Sequence, residues 1–246
     1  AGLVWNTQHL EASTSAPPAV RLQGHESTVV AIAFDHTSRW LATAGKDRAL
    51  CLHRRVDQAS MEGRAPFEGW VQVRGAHKRI IWCAAWVKGG PAENDRLSRR
   101  LLVTGSRDGF VKVWSGVEGP SSLFCCVHEW RPLEGEAITA IAALATPATG
   151  CGGLVSVGGE SGMLQVWRVS SDQSQAGAGD GTAVEMSAVL EATAPVETCH
   201  AAAVRALSWR PDPYMDHGGR SDQNDAVLHI ASVADDQAVS IFALPR

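Results

Sequence analysis

The feature of this sequence that most restricts its fold is a pattern of short strands that recurs four times. Each copy has an apolar first strand, a second strand that ends in small residues, an acidic turn and a third strand. The clearest copy runs from Trp82 to Trp114 and alternates apolar with polar side chains, as half-buried strands do. Internal repetition of this kind predicts a repeat architecture.

The other copies match in type of element rather than in length. Their first strands lie at 29–34, 138–144 and 204–209. Between copies lie three further apolar segments, predicted as outer strands at 70–74, 123–129 and 184–190. Each unit then supplies four antiparallel strands, which is one blade of a β-propeller. The predicted fold is therefore an all-β propeller.

The unit boundaries follow from these strands, with blades expected at about 23–75, 76–131, 132–192 and 193–246. Residues 1–22 are interpreted as the end of a preceding blade, with its third strand at 2–6 and its fourth at 19–22. The last unit stops without a fourth strand, and an open strand edge is a liability for pairing with other chains. We therefore expect part of a larger ring, and an isolated chain that aggregates. The alternative is a closed four-blade ring in which 19–22 completes the last blade.

Composition narrows the functional classes. The chain has 22 Lys and Arg against 26 Asp and Glu, a formal net charge of -4, so it offers no general attraction for nucleic acid or anionic lipid. Its longest apolar stretches are well short of the roughly 20 residues of a membrane helix. The first residues lack the charged start of a secretory signal. Six cysteines without a CxxC pair favour free thiols in a reducing compartment, and we expect the protein in cytoplasm and nucleus.

The recurring residue types resemble those of WD repeats, and because WD propellers commonly have seven blades, the resemblance implies a seven-bladed ring. In that family a His before the first strand, a Ser or Thr in the second, an Asp in the tight turn and a Trp ending the third form a hydrogen-bonded tetrad. The resemblance implies a complete tetrad in the second unit and three members each in the first and fourth, where His53 and Phe242 replace Trp. These members are His77, Thr104, Asp108 and Trp114; His25, Thr43 and Asp47; and His200, Ser232 and Asp236.

The third unit departs from this pattern. It lacks the His, and its acidic turn position falls on Glu160 when counted from Ser156 but on Ser161 when counted back from Trp167. We expect an irregular turn there.

A more specific resemblance lies in the second unit. Residues 77–86 (HKRIIWCAAW) followed by 104–108 (TGSRD) resemble the C-terminal propeller of the Elongator subunit 2 family, where His-x-Arg-Ile-Ile-Trp precedes a Gly-Ser-Arg-Asp turn. The same resemblance extends to residues 3–7, 28–34 and 230–232. The resemblance implies a non-catalytic scaffold of the complex that modifies wobble uridines of tRNA. Its implied partners are the large scaffold subunit and the acetyltransferase subunit. The alternative is a receptor in another assembly, such as a ubiquitin ligase.

Two surfaces are candidates for binding. The short turns place Arg79, Arg107 and Lys46 on one face, where they are expected to contact a protein partner. The long connections 54–69, 88–100, 170–182 and 210–226 are expected on the opposite face. A direct RNA contact there would use a group of arginines, namely Arg54, Arg55, Arg96, Arg99 and Arg100.

An enzyme is not expected. The His, Ser or Thr, and Asp types of a hydrolytic triad do occur, but they recur at equivalent positions in several units, whereas a nucleophile is needed once. The segment 159–163 misses the GxSxG pattern at its last position. No His or Cys cluster has the spacing of metal ligands, so no metal or other cofactor is implied.

Overall fold

Short runs of β-branched and apolar residues, separated by turn residues, form the strands of the molecule. The structure is a computed structural model that describes residues 2–4, 20–56, 67–87, 101–117, 123–145, 152–171, 186–210 and 227–245. Its strands in chain order are β1 (Gly2–Val4), β2 (Val20–Leu22), β3 (Val29–Phe34), β4 (Trp40–Gly45), β5 (Leu50–Arg55), β6 (Phe67–Val73), β7 (Ile81–Val87), β8 (Leu101–Ser106), β9 (Val111–Val117), β10 (Leu123–Trp130), β11 (Ile138–Ala145), β12 (Gly152–Gly159), β13 (Leu164–Ser171), β14 (Met186–Thr193), β15 (Val204–Trp209), β16 (Val227–Ala234) and β17 (Val239–Pro245).

The strands form five antiparallel sheets in which neighbours in sequence are neighbours in space. Blade 1 is β3 to β6, blade 2 is β7 to β10, blade 3 is β11 to β14, and blade 4 is the three-stranded sheet β15 to β17. Strands β1 and β2 form a separate pair. A single 3-10 turn, Val196–Thr198, precedes blade 4 within the described residues. The predicted all-β class, with four blades and the remnant of another, is confirmed.

The outer strands lie where they were expected, but their ends differ from the predicted ones. They span Phe67–Val73, Leu123–Trp130 and Met186–Thr193. In all three blades the pairing of the outer strand with its neighbour shifts by one residue at a bulge. A bulge breaks the alternation of apolar and polar residues, and so the pattern alone cannot locate the strand ends.

The N-terminal pair adjoins blade 1. Gly2 pairs with Leu22 and Val4 with Val20, the arrangement expected for the third and fourth strands of a preceding blade. Leu22 packs in one cluster with Leu41 of β4 and Phe67 of β6. The alternative in which 19–22 completes the last blade is therefore wrong, because among the described strands β2 pairs with β1 and not with β17.

The core lies between the blades. Each third strand presents two apolar side chains to the next blade, and in blades 1 to 3 these are at most 2% exposed: Leu50 and Leu52, Val111 and Val113, Leu164 and Val166. Each such side chain stabilises the fold by roughly 1.5–3 kcal/mol. The equivalent residues of blade 4, Val239 and Ile241, are 70% and 71% exposed. Blade 4 thus lacks the neighbour that covers the other blades.

The first blade is only partly covered on its other side, where β1 and β2 adjoin it. Trp86 and Trp209 occupy equivalent positions in blades 2 and 4, and each donates its indole N–H to a carbonyl of the preceding blade, at 3.0 Å to Ala33 and 3.4 Å to Ala142. Blade 1 has Phe34 at this position, and Phe34 is 49% exposed. The described molecule is therefore an open arc with apolar surface at both ends.

Candidate functional site

The turns between the second and third strands build the sites predicted from the sequence. Each turn closes with an N–H to C=O bond across four residues and has one residue in the left-handed region. That residue is a glycine in blades 2 and 3, but it is Arg48 in blade 1 and Gln237 in blade 4, both with φ of 64°. Non-glycine residues are strained in this region.

Blade 2 contains the complete tetrad. The His77 Nδ1 lies 3.1 Å from an Asp108 carboxylate oxygen, and its Nε2 lies 2.8 Å from the Thr104 hydroxyl. The Trp114 indole N–H donates to the same hydroxyl oxygen at 2.8 Å. Asp108 also accepts backbone N–H groups of Lys78 at 2.8 Å and Phe110 at 3.0 Å. The network joins β8, β9 and the turn between them to the loop that precedes β7.

The hydrogen bonds keep the Asp108 carboxylate ionised. Burial raises the pKa of Asp108. The hydrogen bond and charge of His77 and the two backbone N–H groups lower this pKa by more than burial raises it, so it lies well below its usual range. The pKa of Asp47 in blade 1 and that of Asp236 in blade 4 are also lowered, by equivalent backbone N–H groups and by their histidines.

Blade 1 closes its network with a histidine. His25 Nδ1 lies 2.9 Å from the Asp47 carboxylate and its Nε2 lies 2.9 Å from the Thr43 hydroxyl, whose oxygen lies 3.2 Å from His53 Nε2. The Thr43 hydroxyl has one proton, which it donates in a hydrogen bond to His25 Nε2, because His25 Nδ1 donates to Asp47. His53 Nε2 must then carry the proton that it donates to Thr43. His53 therefore replaces the indole N–H of the tetrad tryptophan.

The histidine at the tryptophan position of the tetrad, His53, is neutral near pH 7. Burial, followed by the charge of His25, lowers the pKa of His53 to about 4. His53 Nδ1 is buried and has no hydrogen-bond partner among the described residues. The imidazole thus supplies one bond of the network and leaves one acceptor unsatisfied.

Blade 4 has a shorter network. His200 Nδ1 lies 3.0 Å from the Asp236 carboxylate, and its Nε2 lies 2.7 Å from the Ser232 hydroxyl. Phe242 occupies the position of the tetrad tryptophan and has no group that can donate a hydrogen bond. The network of blade 4 therefore ends at Ser232.

The prediction of an irregular turn in blade 3 is wrong. The Gly162 N–H donates to the Gly159 carbonyl at 3.3 Å, as in the other three turns, and Ser161 takes the place of the aspartate. A carboxylate comes instead from the preceding loop, where Glu136 accepts the Ser161 N–H at 3.2 Å and hydroxyl at 2.8 Å. The second-strand position of Thr104 is taken by Val157 rather than Ser156, and the tetrad is absent from this blade.

The buried networks have a structural role. His77, Thr104, His200 and Ser232 are at most 5% exposed, and both ring nitrogens of each histidine are already bonded. No group of three or more His, Cys, Asp or Glu that could hold a metal ion occurs in the described part of the chain. No described helix is long and apolar enough to cross a membrane.

The three candidate partner-binding residues lie at the same end of blades 1 and 2. Lys46, Arg79 and Arg107 are all exposed. The Arg107 N–H donates to the Ile80 carbonyl at 2.9 Å, and so the turn that carries Arg107 contacts the loop that carries Arg79. Lys46 is at the equivalent position of the turn in blade 1, where its N–H donates to Thr28 at 2.9 Å.

Two further basic residues belong to this surface and were missed from the sequence. Arg48 and Lys78 are exposed beside Lys46 and Arg79, respectively. We call the five residues the basic turn surface: Lys46, Arg48, Lys78, Arg79 and Arg107. The turn positions of Lys46 and Arg107 carry Glu160 in blade 3 and Asp235 in blade 4, where Asp235 is paired with Arg205. Alignment of the four turns would have shown this change of charge.

The arginines proposed for RNA are only partly described. Arg54 forms an ion pair with Glu68 at 3.1 Å, and both side chains are about half exposed. Arg55 is exposed at the same end of β5. Arg96, Arg99 and Arg100 lie outside the described residues, as does most of each long connection.

The comparisons with known proteins agree with the propeller fold. The family described as WD domain, G-beta repeat matches residues 17–54 and 70–115. A solved structure, that of Saccharomyces cerevisiae Sqt1, has a TM-score of 0.56 and 13% sequence identity over 90% of this chain and 46% of its own. This likeness concerns the fold alone.

Several curated relatives share the name Elongator complex protein 2. The chain is 26% identical to Elongator complex protein 2 of Dictyostelium discoideum over 97% of its length and 29% identical to that of Arabidopsis thaliana over 90%. It is 27% identical to that of Mus musculus over 90%. The chain spans about a quarter of the length of these relatives, with 23%, 23% and 26% of each covered.

Proposed function

From its WD40 repeats and its similarity to Elongator complex protein 2, we propose that this chain is a non-catalytic scaffold of an Elongator complex. In this role it supports modification of wobble uridines in tRNA by holding other subunits together. Its partners are the large scaffold subunit and the acetyltransferase subunit, and it works in cytoplasm and nucleus. Similarity over 90–97% of the chain to relatives with this one name is the observation that supports the proposal most strongly.

The basic turn surface is the part of the chain that we assign to partner binding. It contains five exposed cationic side chains on two adjacent blades. The carboxylates of Asp47 and Asp108 in the same turns are held by His25 and His77, and the exposed Glu26 is paired with Arg74. Charged surfaces steer and select complementary partners. We therefore expect an acidic segment of another subunit to bind at this end of blades 1 and 2.

Affinity capture tests the proposed scaffold role. The tagged protein is isolated from its own cells, and its stoichiometric partners are identified by mass spectrometry. The scaffold role predicts the large subunit and the acetyltransferase subunit. Recovery of ubiquitin-ligase components in their place would support the alternative receptor role and discard the Elongator role.

The basic turn surface is tested in the same assay with charge reversals. The double substitution Arg79→Glu and Arg107→Glu should reduce recovery of these partners at least tenfold. Arg55→Glu is the matched control, because Arg55 is an exposed arginine at the opposite end of blade 1, and it should leave recovery unchanged. Equal recovery with both variants would show that partners bind elsewhere.

Direct RNA binding has no observation in its favour beyond the arginines already named. If it occurs, retention on tRNA will depend on salt, because counterions are released from phosphates. Loss of that retention on replacing Arg54 and Arg55 with Ala would support it.

A further inference from the structure

Trp82 is the one described tryptophan that does not pack in the core. The other seven described tryptophans belong to the apolar clusters between blades, whereas Trp82 belongs to none of these clusters. Its indole N–H forms no hydrogen bond with another described residue and is not among the buried unpaired groups. Buried indole N–H groups usually have a partner. Trp82 is therefore partly exposed, with a hydrogen-bond donor that faces solvent.

A β-bulge separates Trp82 from the neighbouring strand. On β8, Ser106 pairs with Ile81 and the preceding Gly105 pairs with Cys83, which leaves Trp82 without a partner. Bulges re-aim side chains and are frequent beside functional sites. Strand β7 is also the edge strand of blade 2, and it contacts the first strands of blades 1 and 3. Trp82 thus lies on the inner strand of its blade, at the end that carries the short turn.

The equivalent residues of the other blades differ in a consistent way. Each first strand has a bulge at its second residue, and the unpaired residues are Val30, Trp82, Thr139 and Arg205. The Thr139 hydroxyl donates to the Gly158 carbonyl at 3.2 Å, and Arg205 Nε donates to Asp235 at 2.7 Å. Val30 is 37% exposed. Apolar side chains therefore occupy this position in the two blades with basic turns, and polar side chains bonded within their own blade occupy it in the other two.

The basic turn surface adjoins Trp82. Arg107 follows the residue that pairs with Ile81, and its N–H donates to the Ile80 carbonyl at 2.9 Å. Arg79 precedes Trp82 by three residues in the same loop and strand. Both arginines are exposed. Binding energy at protein interfaces is concentrated in tryptophan and arginine residues near the centre of the contact.

We propose that Trp82 is the anchor of the partner site on the basic turn surface. The partner segment is an extended acidic peptide that packs an apolar side chain against the indole ring. A backbone carbonyl or a carboxylate of the same peptide accepts the indole N–H. The proposal rests on the partner role assigned above to the basic turn surface, and it does not depend on which complex contains the protein.

An acidic peptide fits this site better than a nucleic acid, which could also use cations and an aromatic ring. Glu160 and Asp235 are exposed on the turns of blades 3 and 4, at the same end of the molecule, and would repel the phosphates of a strand that extended beyond blade 2. A short peptide can remain over blades 1 and 2. Its single chain can also reach the inner strand, where Trp82 is only partly exposed.

The first test identifies what lies against Trp82. In the full-length protein in its own cells, Trp82 is replaced by a photoreactive benzophenone amino acid, and the crosslinked products are identified by mass spectrometry. The expected product is a protein segment in which an apolar residue is flanked by Asp or Glu. Val189 is the control position, because it is an exposed apolar residue on the outer strand of blade 3. It should give at least tenfold less of this product.

Three results of the crosslinking would overturn the proposal. They are crosslinks to tRNA, crosslinks to a segment without acidic residues, and no more product from position 82 than from position 189.

The second test separates the indole ring from its N–H by affinity capture of full-length variants. Trp82→Ala should reduce recovery of the partners that the wild-type protein retains at least tenfold. Trp82→Phe keeps an aromatic ring and removes the donor, so its effect should be smaller, about two- to tenfold. Because Trp82 lies outside the core clusters, the unfolding temperature of each variant should stay within about 2 °C of the wild-type value.

Comparison with the charge-reversal variant distinguishes failure of the anchor from failure of the surface. Normal recovery with Trp82→Ala, together with reduced recovery with Arg79→Glu and Arg107→Glu, would reject the anchor and leave the partner surface in place. Normal recovery with both variants would reject the surface as well. A loss of recovery that is matched by a loss of folded protein would make Trp82 a structural residue and would equally reject the anchor.

Discussion

At the scale of single residues, the histidines of blades 1, 2 and 4 show how a propeller blade uses groups that also occur in catalytic triads. Each has one ring nitrogen on a carboxylate and the other on a buried hydroxyl. The hydroxyl donates to the imidazole, and the imidazole donates to the carboxylate. Because the hydroxyl is buried against the third strand, no substrate can reach it. The same residue types therefore fix the turn between the second and third strands and hold the preceding loop against it.

The tetrad of blade 2 should make a large contribution to stability. Asp108→Ala removes the acceptor of His77 Nδ1 and of the Lys78 and Phe110 N–H groups. We expect a loss of about 3 kcal/mol in the free energy of unfolding, since buried unpaired groups cost about 1–3 kcal/mol each. Ser161→Ala, at the equivalent position of blade 3, should cost about 1 kcal/mol or less. Urea unfolding measures both, and equal losses would contradict this assignment.

His53 should make stability depend on pH. Its pKa is about 4 in the folded chain, against about 6.5 in the unfolded chain, so the unfolded state binds more protons between these values. Stability is then complete above pH 6.5 and decreases as the pH falls toward 4. His53→Phe should flatten this part of the profile of unfolding temperature against pH. An unchanged slope in the variant would show that other groups cause it.

The aspartates affect the stability of the fold in a lower pH range than His53 does. The lowered pKa values of Asp47, Asp108 and Asp236 stabilise the fold above the ordinary carboxyl range, and this stability is lost as acid protonates them. Acid unfolding below about pH 4 should therefore remain in His53→Phe.

At the scale of strands and blades, packing depends on small residues of the second strands. Gly158→Ala should destabilise the chain by about 1–3 kcal/mol, because the new Cβ would overlap Val204. Gly69→Ala is the matched control in β6, where a Cβ meets nothing within 4 Å. It should be neutral or stabilising by up to about 1 kcal/mol. Chemical denaturation distinguishes the two, and a harmless Gly158→Ala would contradict close packing between blades 3 and 4.

Much of this level could be predicted from the sequence, because the alternation of apolar residues and the order of His, Ser or Thr, and Asp recur in three blades. The turn of blade 3 could not, since Ser156, Glu160 and Ser161 allow two registers and only the pairing of Val157 decides between them. The carboxylate of Glu136 comes from another loop. The role of His53 depends on which nitrogen faces Thr43, which a one-letter sequence does not contain.

At the scale of the whole molecule, the four blades form an arc rather than a closed ring. Ile32 and Phe34 are exposed on blade 1, and Val239 and Ile241 are exposed on blade 4. Charge is also unevenly distributed, because the turns of blades 1 and 2 carry Lys46 and Arg107 where those of blades 3 and 4 carry acidic residues. The ends of the arc are thus suited to apolar packing, and the basic turn surface to a charged partner.

The open ends predict self-association of the isolated chain. Its mass in solution should increase with concentration, as measured by sedimentation or light scattering, because apolar faces associate in water. Replacing Val239 and Ile241 together with Lys should reduce this association. Val196→Lys is the control, since Val196 is 74% exposed but lies in the turn before blade 4. A monodisperse wild-type chain that melts cooperatively would contradict the prediction.

The central proposal, that this chain supports the modification of tRNA wobble uridines as part of an Elongator complex, is tested most directly by the tRNA of cells that lack the protein. Nucleosides from that tRNA are quantified by mass spectrometry. The account predicts that modified wobble uridines fall to background and return when the wild-type protein is restored. Modified wobble uridines at their normal level in the absence of the protein would contradict it.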